Sequence, residues 1–199
     1  MRSLLIGCVL AVLAAGACGI TAAQQDRKRE RKQQEKLEEM SRKLNRRLAR
    51  SGAAPEHDFL HARAAAILER ARGARADDYV FDRLLRAADD LLEASEELFE
   101  SRTPEREPAD ASRREAALDL QRYYFRVRQA EYFAELSREP DAHLYVQHAR
   151  SLYQQARRAY DARQYRRAQK LGEAAGEIVS ALEKLAQAAV RIPEPPRLE

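Results

Sequence analysis

Four histidines have the residue type and spacing that most resemble a metal site in this chain. His57 and His61 stand four residues apart, so a helix would place both imidazoles on one face, and His143 and His148 follow later. A metal-dependent enzyme that uses these histidines is one hypothesis. Because no His-Glu-x-x-His pattern or nearby cysteine accompanies them, we expect surface histidines and no catalytic, cofactor-binding or metal-ligating residue.

Carboxylates are concentrated in one stretch, where a single helix would carry nine acids and two arginines. Paired carboxylates can act as general acid and base when burial separates their pKa values, but this spacing favours the solvent side. We predict instead that the acidic helix lies beside the basic start of the last helix. The acids are Asp77, Asp78, Asp82, Asp89, Asp90, Glu93, Glu96, Glu97 and Glu100, and the bases are Arg163, Arg166, Arg167 and Lys170.

The first 23 residues predict a secretory signal or a membrane anchor. A basic start, an apolar middle and a small-residue exit are typical of a signal. Cleavage after Ala17 would leave Cys18 first, which resembles a bacterial lipoprotein signal with Cys18 as the lipid attachment site, although Ala15 stands where leucine is usual. The alternative is an uncleaved single-pass anchor with a cytoplasmic body, because about 20 apolar residues span a bilayer.

Basic charge belongs to the amino-terminal part of the chain. Residues 1–50 contain 12 basic and 5 acidic residues, whereas the remainder contains 24 and 27. The charge composition of residues 24–55 predicts a basic, charged helical stalk and linker. This stalk either contacts anionic lipid head groups or is a solvated spacer. No aromatic residue interleaves with the charges, so we expect no nucleic-acid partner. The expected lipid contacts are Arg27, Lys28, Arg29, Arg31 and Lys32.

Apolar residues recur at steps of three and four through most of the remaining chain, which predicts an all-α fold. We expect residues 56–192 to form an elongated antiparallel helical bundle of about five helices with coiled-coil-like seams, followed by a Pro-rich tail at 193–199. Whether 57–101 is a hairpin or one interrupted helix stays open. The helices are expected at about 57–73, 77–101, 112–138, 141–160 and 163–192.

Two of these helices are predicted to form the centre of the bundle. The last helix keeps one apolar face over more than three heptads, so several other helices must lie along it. The third helix is apolar on more than one face, and we expect its aromatic residues to pack in the core. These aromatic residues are Tyr123, Tyr124, Phe125, Tyr132 and Phe133.

Residues 143–186 have a recurring pattern of alanine and tyrosine, formed by Ala156, Ala159, Tyr160, Tyr165, Ala168 and Ala175. This stretch resembles one tetratricopeptide-like unit, and also an Ala-rich helical-hairpin domain of unknown function found in bacterial envelope lipoproteins. It departs from the repeat because no period of about 34 residues recurs and Gly172 stands where a large residue is preferred. The resemblance implies a helical hairpin and suits an exported protein, but it assigns no activity.

Together these patterns predict a non-enzymatic, envelope-associated helical scaffold or adaptor. We expect it to be exported, periplasmic or lipid-anchored, with the membrane contacted through the amino terminus. It would bind a protein partner along its helical surface or associate with itself. A membrane-anchored cytoplasmic coiled-coil protein is the alternative.

Overall fold

The computed structural model describes the backbone of residues 3–51, 55–102 and 110–190. Its side chains are described for 24–50, 57–102 and 113–190, so the Cys18 side chain and the Pro-rich tail lie outside this description. Within these ranges the structure contains helices and no strand, which confirms the all-α class. The helices are α1 (Ser3–Ser51), α2 (Pro55–Gly73), α3 (Asp78–Glu100), α4 (Asp110–Ser137), α5 (Ala142–Asp161) and α6 (Tyr165–Val190).

The chain divides into two units, Met1–Glu39 and Met40–Glu199. The first unit contains most of α1, whose exposed turns are linked by an Arg31–Glu35 ion pair. The second unit contains the helical bundle. Across the part of the chain that the structure describes, no helix is both long enough and apolar enough to cross a membrane.

The centre of the bundle is α6, which packs against α3, α4 and α5. Its buried positions follow steps of three and four, as the sequence predicts for a core helix. In addition, α2 packs against α3 and α4 packs against α5. Because α2 and α3 are separate helices in contact, the hairpin alternative for residues 57–101 is the observed one. The buried positions of α6 include Ala168, Leu171, Ala175, Ile178, Leu182 and Leu185.

Two glycines of α6 form a notch that receives a tyrosine ring of α4. A Cβ atom added at Gly172 would lie 2.8 Å from Cδ2 of Tyr123, and one added at Gly176 would lie 2.7 Å from Cδ1 and Cε1 of the same ring. Carbon atoms in favourable contact are about 3.5 to 4.0 Å apart. The absence of a side chain at these two positions therefore allows α4 to approach α6.

The prediction that the aromatic helix is central is wrong. Tyr123 faces α6, but Tyr124, Phe125 and Tyr132 are exposed by 44%, 59% and 60%. The buried side of α4 is formed by small and aliphatic residues, among them Ala116, Leu120, Val127 and Ala130. Phe125 and Tyr132 are therefore largely exposed to solvent, and Tyr124 lies at the edge of the contact with α5, where its ring centroid is 6.0 Å from that of Tyr153.

Helix α5 ends without glycine or proline. The amide of Gln164 donates to the carbonyl of Ala159 at 2.9 Å, and that of Arg163 donates to Tyr160 at 2.9 Å, which is a Schellman pattern. Arg163 has a φ of 62°, the left-handed conformation that usually selects glycine at this position. The two hydrogen bonds satisfy carbonyls that the helix end would otherwise leave without partners.

We expect Gly176→Ala to lower the free energy of unfolding by roughly 1 to 3 kcal/mol, because its Cβ would overlap the Tyr123 ring. Chemical denaturation measures this change. Gly73→Ala is the matched control, since nothing lies within 4 Å of the added Cβ there.

Tyr123→Ala tests the cause of that loss. If the overlap is responsible, Gly176→Ala costs less in the Tyr123→Ala background than in the parent chain. An equal cost in both backgrounds would contradict the assignment of the notch to Tyr123.

Candidate functional site

The carboxylates of α3 are paired with basic residues from two other helices. On α6, Lys170 Nζ lies 2.8 Å from Glu97 and 3.2 Å from Glu100. The predicted side-by-side placement of α3 and α6 is therefore confirmed. Of the four expected bases, Lys170 makes these contacts, whereas Arg163, Arg166 and Arg167 are exposed.

A second set of cations reaches α3 from the end of α1, which the sequence analysis did not foresee. Lys43 pairs with Asp89, and Arg47 pairs with Glu96. Arg50 lies 3.8 Å from Glu96, and its guanidinium lies 5.7 Å from the centroid of the Phe99 ring. Such partly exposed pairs contribute up to about 1 kcal/mol each, so they orient α3 more than they stabilise it.

Three carboxylates form a cluster between α3 and α6. The nearest oxygens of Asp90, Glu93 and Glu177 all lie within 4.8 Å of one another. Burial, reinforced by Glu177, raises the pKa of Asp90 to about 8, and burial also raises the pKa of Glu177. The prediction that the acids of this helix face solvent is thus wrong for Asp90, whose carboxyl group holds a proton at neutral pH.

The α2–α3 contact contains a buried chain of polar side chains. Ser95 Oγ lies 2.8 Å from Nδ1 of His57 and 2.9 Å from Nε2 of His61. The two histidines and the serine are at most 2% exposed, so the prediction of surface histidines is wrong here. Burial lowers the pKa of His61, which keeps its imidazole neutral.

A hydroxyl beside an imidazole is the arrangement of a nucleophile and its base, but a substrate must reach the hydroxyl oxygen. At 2% exposure Ser95 is enclosed by the packed helices. Its hydroxyl can donate to one imidazole and accept from the other, which satisfies buried polar groups on both helices. The chain of polar groups therefore fixes α2 against α3.

The remaining histidines lie apart from this chain of polar groups. His148 stacks on Phe59 with ring centroids 4.0 Å apart, and His143 is exposed. Among the side chains that the structure describes, the cluster that could hold a metal ion is the carboxylate cluster of Asp90, and it contains no histidine.

The accessible candidate site is a cleft of about 380 Å³ between α4 and α5, which we call the tyrosine cleft. Its walls carry tyrosines from both helices, and the rings of Tyr124 and Tyr153 have centroids 6.0 Å apart. Tyr160 lies near the end of α5, where its ring centroid is 5.4 Å from that of Tyr165. The cleft is lined by Ala117, Leu120, Gln121, Tyr124, Tyr153, Arg157, Tyr160 and Asp161.

The outer face of α4 also carries exposed apolar side chains that do not line this cleft. Leu118, Phe125 and Tyr132 are 68%, 59% and 60% exposed and recur at every seventh position, so they lie on one stripe. Apart from Tyr124 of the cleft, the other large apolar side chains that are exposed in the described residues are on three different helices. They are Leu48, Phe99 and Val190. Exposed apolar residues that cluster in this way mark interaction surfaces.

Sequence reasoning missed the tyrosine cleft because two helices form it. A signal was present in α5, where Tyr153, Arg157, Tyr160 and Asp161 follow one another at helical spacing beside the buried stripe. A single helix does not reveal which neighbour supplies the opposite wall. Tyr124 supplies it here.

The residues predicted to contact lipid lie on α1 in the first unit. Arg27, Lys28, Arg31 and Lys32 are exposed, and Arg29 is half-buried. Arg31 also pairs with Glu35 at 3.4 Å. Cys18 lies within α1, and its side chain is outside those that the structure describes.

Comparison with known protein families, with curated proteins and with solved structures finds no match to this chain.

The carboxylate cluster generates a pH-dependent prediction. The pKa of Asp90 rises from 3.8 to about 8 on folding, so between these values the folded chain holds a proton that the unfolded chain releases. The free energy of unfolding should therefore fall as the pH rises through this window. Asp90→Asn removes the charge, and its stability relative to the parent chain should increase from about pH 4 to pH 8 and then stay constant.

Denaturant unfolding at several pH values measures this difference. Asp82→Asn is the matched control on the same helix, because Asp82 forms a surface ion pair with Arg86 at 2.9 Å. A difference between Asp90→Asn and the parent that does not change with pH would contradict a protonated Asp90.

Proposed function

We propose that this chain is a non-enzymatic, envelope-associated helical scaffold or adaptor that binds an extended, proline-rich polypeptide in the tyrosine cleft. The exposed aromatic surface of α4 and α5 carries this proposal. In the proposed architecture α2 to α6 form an elongated antiparallel bundle with coiled-coil-like seams, and α4 and α5 present the binding surface at its outside.

Contacts at two points along the α3–α6 pair support the antiparallel arrangement. Glu97, near the end of α3, pairs with Lys170 near the start of α6, and Asp90, earlier in α3, neighbours Glu177 further along α6. Helices α5 and α6 are antiparallel in the same way, because the rings of Tyr160 and Tyr165 are in contact across a short turn.

The envelope location is supported by sequence. Residues 1–23 have the composition of a signal and resemble a lipoprotein signal, which implies Cys18 as the lipid attachment site, and residues 143–186 resemble hairpin domains of envelope lipoproteins. In this arrangement the basic residues of the stalk lie near the membrane surface, where each contributes about 1 kcal/mol of attraction to anionic lipid. They are Arg27, Lys28, Arg29, Arg31 and Lys32.

The spacing of the tyrosines fits a polyproline II segment. Tyr153 and Tyr160 are seven residues apart in α5, so their Cα atoms are about 10.5 Å apart along the helix axis. Prolines three residues apart in a polyproline II helix are separated by about 9.3 Å. One proline can therefore pack against each tyrosine ring.

The chemistry of the cleft fits the same ligand. Polyproline II leaves its carbonyl groups without internal hydrogen bonds, and tyrosine combines an apolar ring with a hydroxyl donor. Aromatic-lined grooves are the usual sites for such segments. Arg157 and Asp161 are exposed at the cleft and supply one charge of each sign for selecting among proline-rich sequences.

Fluorescence anisotropy with labelled decaproline tests the binding site. We expect saturable binding to the full chain, weakened about tenfold by Tyr153→Ala with Tyr160→Ala, because each ring contact contributes about 0.5 to 1.5 kcal/mol. Ala117→Trp fills the cleft from an exposed position and should also block binding without removing core packing.

Tyr132→Ala is the matched control, since Tyr132 is an exposed tyrosine of α4 outside the cleft. The proposal is wrong if decaproline does not bind, or if Ala117→Trp and the double tyrosine variant bind it as the parent does.

Alkaline phosphatase fused to the carboxyl end tests the location. We expect an active, exported reporter in the membrane fraction, and because Cys18 carries the lipid we expect its intact mass to include a lipid that Cys18→Ser removes. Cys8→Ser is the matched control. A fusion retained in the cytoplasm would favour the membrane-anchored cytoplasmic alternative, and a lipid mass that persists in Cys18→Ser would contradict lipid attachment there.

A further inference from the structure

We propose that the Pro-rich tail of one copy binds in the tyrosine cleft of a second copy, so that the chain associates with itself head to tail. This inference deepens the proposed function and rests on it, because it names the proline-rich ligand of the same cleft. Three of the chain's seven prolines, Pro193, Pro195 and Pro196, fall within four residues of this tail.

The tail has the proline spacing that the cleft selects. Pro193 and Pro196 are three residues apart, which places them about 9.3 Å apart in a polyproline II helix. The Cα atoms of Tyr153 and Tyr160 lie about 10.5 Å apart along the axis of α5. The tail therefore fits with Pro193 on Tyr153 and Pro196 on Tyr160.

The charges of the tail complement the charges of α5 in this placement. Along α5 the order is Tyr153, Arg157, Tyr160, Asp161, so a cation lies between the two rings and an anion follows the second. Along the tail the order is Pro193, Glu194, Pro196, Arg197, with the signs reversed. In either direction Glu194 lies between the two rings, where it faces Arg157, and a tail that runs in the same direction as α5 also places Arg197 beside Asp161.

The length of α6 requires that the tail come from a second copy. The cleft reaches Tyr160, which is beside Tyr165 at the start of α6, whereas the tail follows Val190 at its end. The 26 residues of α6 separate these points by roughly 38 Å. The six residues from Val190 to Pro196 span at most about 21 Å, so Pro196 does not reach Tyr160 of its own chain.

Each copy would then use its cleft for one neighbour and its tail for another. Such an interface is heterologous, because two different surfaces meet, and it generates rings or open chains of copies. The contact area of one short segment is small, so the association should depend strongly on concentration.

Anisotropy with a labelled peptide of residues 191–199, added to the full chain, tests the inference directly. We expect binding at the cleft, blocked by Ala117→Trp. Arg157→Glu should weaken binding about threefold to tenfold, since it replaces an attraction at a partly exposed pair by a repulsion. A peptide carrying Glu194→Arg should restore binding to Arg157→Glu, and one carrying Glu199→Arg is the control outside the matched charges.

Sedimentation velocity on the full chain tests the assembly. We expect concentration-dependent association that is lost when residues 191–199 are deleted. If decaproline binds but the tail peptide does not, the inference is wrong and the proposed function stands. If neither binds, both are wrong. Association that survives deletion of residues 191–199 would also overturn the inference. So would a Glu194→Arg peptide that fails to restore binding to Arg157→Glu.

Discussion

The contact of Tyr123 with the notch at Gly172 and Gly176 sets the rotation of α4 in the bundle, and the accessible surface of the molecule follows from that rotation. Successive residues of an α-helix point about 100° apart, so a ring turned toward α6 directs Tyr124 and Phe125 away from it. The exposed aromatic face and one wall of the tyrosine cleft therefore arise from the same contact. Both cysteines precede residue 20, so the bundle is held together by packing of this kind.

Periodicity was sufficient to predict the helical class and the buried seam of α6, and opposite charge was sufficient to predict that α3 lies beside α6. A helix records its own apolar face in its sequence, and α6 has enough neighbours to cover that face. The same reasoning failed for α4, because apolar residues on two faces do not tell how many helices surround it. Tyr124 and Phe125 show that aromatic content alone does not locate a helix in the core.

The polar sites were less predictable, because each one depends on residues far apart in the chain. His57 and His61 are buried since Ser95, on another helix, provides hydrogen bonds to both. Asp90 is buried and has Glu177 as a neighbour across the contact, whereas Asp89 and Glu96 meet cations from α1. Nothing in the α3 sequence by itself distinguishes these carboxylates.

The turn between α5 and α6 shows which residues determine the hairpin. Arg163 adopts a left-handed conformation that is about 1 to 2 kcal/mol less favourable for an ordinary L-residue than the helical one. The apolar seams on either side are out of phase, however, so a continuous helix would expose one of them to water. The direction reversal is thus encoded by the flanking helices and not by the residue that bends, which leaves position 163 free to vary during evolution without erasing the hairpin.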